Sequence, residues 1–206
     1  MTQVDQRATV KGFGEYIDNN FYSSHPASEF PNHFFGYHAA QDLETFTNEK
    51  QDSNNTPVYF VTSGTILYIG SLSGYGGVIL LKLDGTQDTA LYGHVRITNL
   101  KYSVGQHVKV DKPTVLTYLG TGFSAETSGE RKHLHFGVYK GQDLYFHGHE
   151  ANKTVLNSRW YNPIDYLREK NAQAIEQPIN KTPAESPNNH KSTIIERLLS
   201  FLRNIF

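Results

Sequence analysis

The chain has 206 residues and a formal net charge of -1, with 37% hydrophobic and 19% charged residues. This composition excludes a disordered chain, offers no basic field to draw in nucleic acid, and suits one domain of ordinary size plus a tail. Cysteine is absent while histidine occurs 10 times, so disulfides, thiolate metal sites and cysteine nucleophiles drop out and imidazole is the side chain to follow.

Residues 1–32 are polar and aromatic without a clear period, and they are expected to form an irregular lead-in. The opening "MTQVDQRATV" lacks the apolar run of a signal peptide. From 33 to 170 the pattern predicts a compact antiparallel β domain, a sheet or sandwich, closed by a short helix. Its strands are "TPVYFVTSGTILYIG" (56–70, two strands about Ser63-Gly64), "GGVILLKLDG" (76–85, closed by Asp84-Gly85), "TALYGHV" (89–95), "QHVKV" (106–110), "TVLTYLG" (114–120) and "HLHFGVYKG" (133–141). In "YNPIDYLREK" (161–170), Asn162 suits an N-cap, Pro163 the first helical position and Asp165 the positive end of the helix dipole.

Residues 171–193, rich in Pro, Asn, Ser and Gln, are expected to be a flexible linker. In 194–206, Ile194, Ile195, Leu198, Leu199, Leu202, Ile205 and Phe206 recur at helical spacing and predict an amphipathic tail helix. It is too short to cross a bilayer, which leaves docking on its own domain, a membrane surface or a protein partner.

Three segments carry chemistry. His133 and His135 are two apart in a predicted strand and therefore share a face. Such a pair can serve one metal, or one ring can bind while the other works beside it. His38 and Asp42, in "GYHAAQD", converge whether that stretch is helix or strand, and His94 lies in "LYGHV" beside a glycine. Together they could supply two histidines and an aspartate, which leaves one tetrahedral position of Zn²⁺ open, and two more histidines for proton transfer and oxyanion stabilisation.

The ordered set "HAAQD" (38–42), "YGH" (92–94) and "HLHF" (133–136) resembles the lysostaphin/LytM-type zinc endopeptidases, which cleave peptide bonds in bacterial cell walls. "SGYGGVILL" (73–81), "VGQHVKV" (104–110) and "NPIDYL" (162–167) support the resemblance, which covers residues 33–167. It implies that His38, Asp42 and His135 bind one Zn²⁺ and that His94 and His133 are catalytic without binding metal. Tyr37, Tyr75 and Phe123 are expected to wall a cleft for peptidoglycan peptides. The resemblance also implies an extracytoplasmic site of action and a monomer. Its rivals are an inactive relative that binds cell wall or regulates a hydrolase, and a peptidase of the same fold that cleaves proteins.

The chain departs from the family pattern at Ala40 and Gly137, where glycine and glutamate are usual. It also departs at "TSGERK" (127–132), which sets charged residues at the site's edge. A second H-x-H, in "FHGHE" (146–150), has no assigned partner and is expected to be a surface loop.

Overall fold

The computed structural model describes residues 24–25, 36–43 and 55–176. The expected linker beyond 176, the tail helix 194–206 and all of the lead-in except Ser24 and His25 lie outside the described residues. Within them, a sheet of seven strands carries the fold. It runs β12 (Trp160–Tyr161), β10 (Leu134–Lys140), β7 (Asp88–Gly93), β6 (Gly76–Leu83), β5 (Gly64–Leu72) and β8 (His107–Val108), and β3 (Gln41–Leu43) pairs with the start of β10. Every pairing is antiparallel. The hairpin β6–β7 turns about Asp84-Gly85 as expected, and β5–β6 turns about Gly74. Two smaller sheets flank this one: β1 (Ser24–His25), β2 (Gly36–His38) and β11 (His149–Glu150), and the pair β4 (Pro57–Tyr59) with β9 (Val115–Tyr118).

Both faces of the large sheet are covered, which is why β6 reads as an almost unbroken apolar run rather than an alternation. Ile79, Leu81, Tyr92, Leu134, Phe136 and Val138 point into one cluster with Val58, Leu116 and Leu167. The alternate residues Val78, Leu80, Leu91 and Tyr139 point the other way, against Ala39, Tyr75, Leu156 and Trp160. His133 and His135 have the parity of Tyr139, so they belong to this second face.

The closing helix α2 (Pro163–Glu176) begins as the sequence predicts, with Asn162 Oδ1 accepting from the amides of Ile164 (3.0 Å) and Asp165 (3.3 Å). It runs past Lys170 into the stretch expected to be linker. A second helix, α1 (Lys153–Arg159), was not foreseen, and Asn152 caps it through Val155 N–H at 3.0 Å. Among the described residues no helix is long and apolar enough to cross a membrane.

Gly137, one of the departures, has a packing reason. A Cβ there would stand 2.8 Å from Trp160 Cζ3 and 3.3 Å from Ala39 O. The indole packs against the strand at Gly137, and its Nε1–H donates to the buried Glu150 carboxylate at 2.9 Å. Trp160→Ala would open a cavity and strip Glu150 of a donor, so it is expected to cost about 3–5 kcal/mol. Melting followed by circular dichroism should show a drop of roughly ten degrees. A shift of only a degree or two would show that the indole is dispensable.

Candidate active site

Register builds the site. His135 on β10 stands opposite Asp42 of β3 on one side and opposite Gly93 of β7 on the other. Residues directly opposite across a strand pair share a face, so Asp42 and His135 meet and His94 follows immediately after Gly93. The first histidine arrives differently from either geometry considered for "HAAQD". β2 ends at His38, the chain bends at Ala39-Ala40, and β3 starts at Gln41. Ala40 is buried and is not among the residues with a left-handed backbone, so the usual glycine is not needed there.

Three donor atoms converge. His38 Nε2 is 3.1 Å from His135 Nδ1, and these nitrogens lie 3.5 and 3.4 Å from Asp42 Oδ1. All three side chains are buried, and among the described residues they form a group able to hold a metal ion. Burial pushes the Asp42 carboxyl up, but the imidazoles of His133, His38 and His135 outweigh it and hold the group well below the usual carboxylate range. An ionised carboxylate is therefore buried, with Oδ1 making no hydrogen bond among the described residues. Such a group is costly unless a cation meets it.

His94 and His133 stand beside this triangle with ring centroids 4.4 Å apart. The Nδ1–H of His94 donates to Thr127 O at 3.1 Å, and that of His133 to Arg131 O at 2.7 Å. Since a carbonyl only accepts, each Nε2 is left with its lone pair. His133 Nε2 lies 3.6 Å from Asp42 Oδ2. Burial lowers the pKa of both rings. His133 and His135 reinforce that shift for His94, Arg131 and His135 reinforce it for His133, and Asp42 opposes it for both. They are neutral at physiological pH.

The supports of His94 are specific. Its φ of 59° is left-handed, an uncommon choice for a non-glycine residue, and it is held by His94 N–H to Tyr75 O (3.0 Å) and Gly120 N–H to His94 O (2.9 Å). The carbonyl that orients its ring belongs to a 3₁₀ turn, Ala125–Thr127, locked by a capping box from Ser124 to Thr127.

Tyr75 is brought to the site. Its ring meets His135 edge-on at 5.2 Å, and Gly93 makes room, since a Cβ there would sit 2.5 Å from the Tyr75 ring. Its hydroxyl is buried without a hydrogen-bond partner among the described residues. Phe123 is 68% exposed, on a loop tied to the "ERK" segment by Phe123 N–H to Glu130 O at 2.7 Å. Tyr37 joins the second hydrophobic cluster, with the Lys153 ammonium 5.5 Å over its ring. His107 pairs with Asp84 at 2.8 Å, away from the site.

"FHGHE" corrects the expectation of a surface loop. Its end forms β11, in which His149 is the register partner of His38 and the two rings lie 5.0 Å apart. Glu150 is buried and accepts from Tyr145 Oη (2.7 Å) as well as from Trp160.

A family model described as Peptidase family M23 matches residues 48–152. No curated protein matches the chain. Among solved structures the chain is similar to CbpA from L. salivarius REN, with a TM-score of 0.50, 20% identity, and coverage of 77% of this chain and 90% of that one. It is also similar to LytU, with a TM-score of 0.50, 19% identity, and coverage of 77% and 88%. Lysostaphin in solution gives a TM-score of 0.50 and 20% identity over 94% of this chain and 63% of that one. At these identities the structural likeness speaks to the fold.

Proposed function

The chain belongs to peptidase family M23, whose model spans residues 48–152, and from that premise we propose that it is a zinc-dependent endopeptidase hydrolysing peptide bonds in bacterial peptidoglycan. The family match starts after His38 and Asp42, so the case for those two ligands rests on geometry. The carrying observation is the triangle of His38 Nε2, His135 Nδ1 and Asp42 Oδ1, with sides of 3.1, 3.4 and 3.5 Å. Three ligands bound tetrahedrally to one Zn²⁺ at its usual bond lengths stand about 3.3 Å apart. Two imidazoles and one carboxylate also match zinc's preference and leave one position open, as a hydrolytic site requires.

A Zn²⁺ ion held there supplies Lewis-acid chemistry, acidifying water and polarising the scissile carbonyl. The remaining work falls to the chain's own residues. His94 and His133 present neutral Nε2 lone pairs, so the pair takes up the attacking water's proton and returns it to the leaving amine. Two rings this close do not both ionise readily, and the proton has one better seat. His133 provides it, because an imidazolium there faces Asp42 Oδ2 at 3.6 Å. Tyr75 and Phe123 would line the path of the peptide. This substrate places the enzyme outside the cytoplasm.

Incubation of the zinc-loaded protein with isolated cell walls is expected to clear their turbidity, and a chelator to stop the clearing until zinc is restored. Flat turbidity with zinc-loaded protein would sink the hydrolase reading, and clearing indifferent to the chelator would sink the metal.

A further inference from the structure

We infer that Tyr75 is a positioning residue for the metal ligand His135, its hydroxyl accepting the Nε2–H of that imidazole directly or across one water. The inference rests on the zinc reading above and gives Tyr75 a task besides lining the path of the peptide. His135 turns Nδ1 to the triangle, 3.1 Å from His38 Nε2 and 3.4 Å from Asp42 Oδ1. A nitrogen that binds a cation must keep its lone pair, so the proton of the neutral ring sits on Nε2. That atom is buried and makes no hydrogen bond among the described residues. A metal-bound histidine ordinarily donates this second N–H to an acceptor that fixes its tautomer and its ring plane.

Tyr75 supplies the acceptor. Tyr75 and His135 are only 7% and 5% exposed, and their rings meet edge-on with centroids 5.2 Å apart. The Tyr75 hydroxyl, like His135 Nε2, is buried without a partner among the described residues. Both groups border one spot. A Cβ at Gly148 would stand 2.8 Å from Tyr75 Oη and 3.4 Å from His135 Cε1, the carbon bonded to Nε2. A phenol oxygen accepts as well as donates, so it can take this N–H without bringing a second negative charge beside Asp42.

Two glycines make the approach possible. A Cβ at Gly93 would sit 2.5 Å from Tyr75 Cδ1 and 3.3 Å from His135 Cβ, while Gly148 leaves room at the hydroxyl end. Neither glycine has a left-handed backbone, so close approach rather than a turn accounts for them. The Tyr75 backbone is held as well, its N–H by Leu72 O (3.1 Å) and its carbonyl by His94 N–H (3.0 Å). The ring thus stands on a fixed stem, and little freedom is lost when the hydroxyl engages His135.

The test compares full-length wild type, Tyr75→Phe and Tyr68→Phe, with zinc affinity measured by competition against a chromogenic chelator. Tyr75→Phe should bind zinc roughly 10- to 100-fold more weakly. Tyr68, whose ring packs on Phe146 at 4.9 Å, serves as the control, and its variant should bind as the wild type does. Without metal, Tyr75→Phe should melt no lower than the wild type, since it loses a buried hydroxyl that has no partner, while its gain on adding zinc should shrink. Unchanged zinc affinity in Tyr75→Phe, an equal loss in Tyr68→Phe, or a destabilisation that is the same with and without zinc overturns the inference. Should Tyr75→Phe fail to fold, nitrogen NMR of the zinc-loaded wild type decides: His135 Nε2–H should exchange slowly with solvent, and fast exchange overturns the inference. A wild type that binds zinc but leaves walls and wall peptides intact would count against the peptidase reading alone, and one that binds no zinc would overturn both.

Discussion

Asp42→Ala is expected to abolish stoichiometric zinc binding and to lower wall-clearing activity on the order of a thousand-fold or more. The several kcal/mol that a catalytic metal contributes convert at about 1.36 kcal/mol per ten-fold in rate. The effect is large because four groups share this carboxylate: His38 and His135 at Oδ1, His133 and Arg131 at Oδ2. Its removal leaves imidazoles and a guanidinium with no negative charge among them, a poor place for a dication. Asp42→Asn keeps the volume and one oxygen but not the charge, so it separates electrostatics from packing and should fail nearly as badly. A second readout avoids activity altogether. Zinc should raise the melting temperature of the wild type by binding the native state alone, and should leave that of Asp42→Ala unmoved. A variant that retained one zinc per chain and cleared walls at the wild-type rate would remove Asp42 from the centre.

Much of this site was legible because it follows local rules. The period of a strand puts His133 and His135 on one face, and turn pairs such as Asp84-Gly85 mark the hairpins that stack β5, β6 and β7. Asn162 and Pro163 announce α2, although nothing local announces its extension to Glu176. What remained hidden depends on partners distant in sequence. "FHGHE" reads as a loop because nothing in five residues says that His149 will lie opposite His38. Helix α1 carried a start signal in Asn152, but it spans seven residues and includes β-branched Thr154 and Val155, too weak a pattern to stand on its own. The left-handed backbone of His94 is fixed by Tyr75 and Gly120 rather than by its own sequence. The capping box at Ser124 and Thr127 lacks the Glu or Gln that marks one in a sequence. Its consequence, a carbonyl aimed at His94, appears only once the turn packs. Gly137 departs from the family pattern in sequence, and Trp160 supplies the reason for it.

Removing the histidines beside the metal triangle should separate chemistry from metal binding. In the proposed mechanism His94 and His133 share the proton of the attacking water, and loss of a general acid–base is worth roughly 100- to 10,000-fold in kcat. The choice of variant matters at position 94, where φ is 59°. Asparagine tolerates that backbone far better than alanine does, so His94→Asn removes the base with little added strain. Its zinc content should match the wild type, because the His94 ring lies farther from His135 than the His38 ring does, with centroids 6.1 against 4.8 Å apart. His133→Ala should lose activity more severely, since the imidazolium that Asp42 stabilises would then have no seat. The double variant should be scarcely worse than the weaker single one, as expected of groups that act as a unit. Single-turnover assays on a defined wall peptide, with zinc measured on the same samples, decide the matter. Full activity in His94→Asn would exclude it from the proton path, and loss of zinc from either variant would make that residue a ligand.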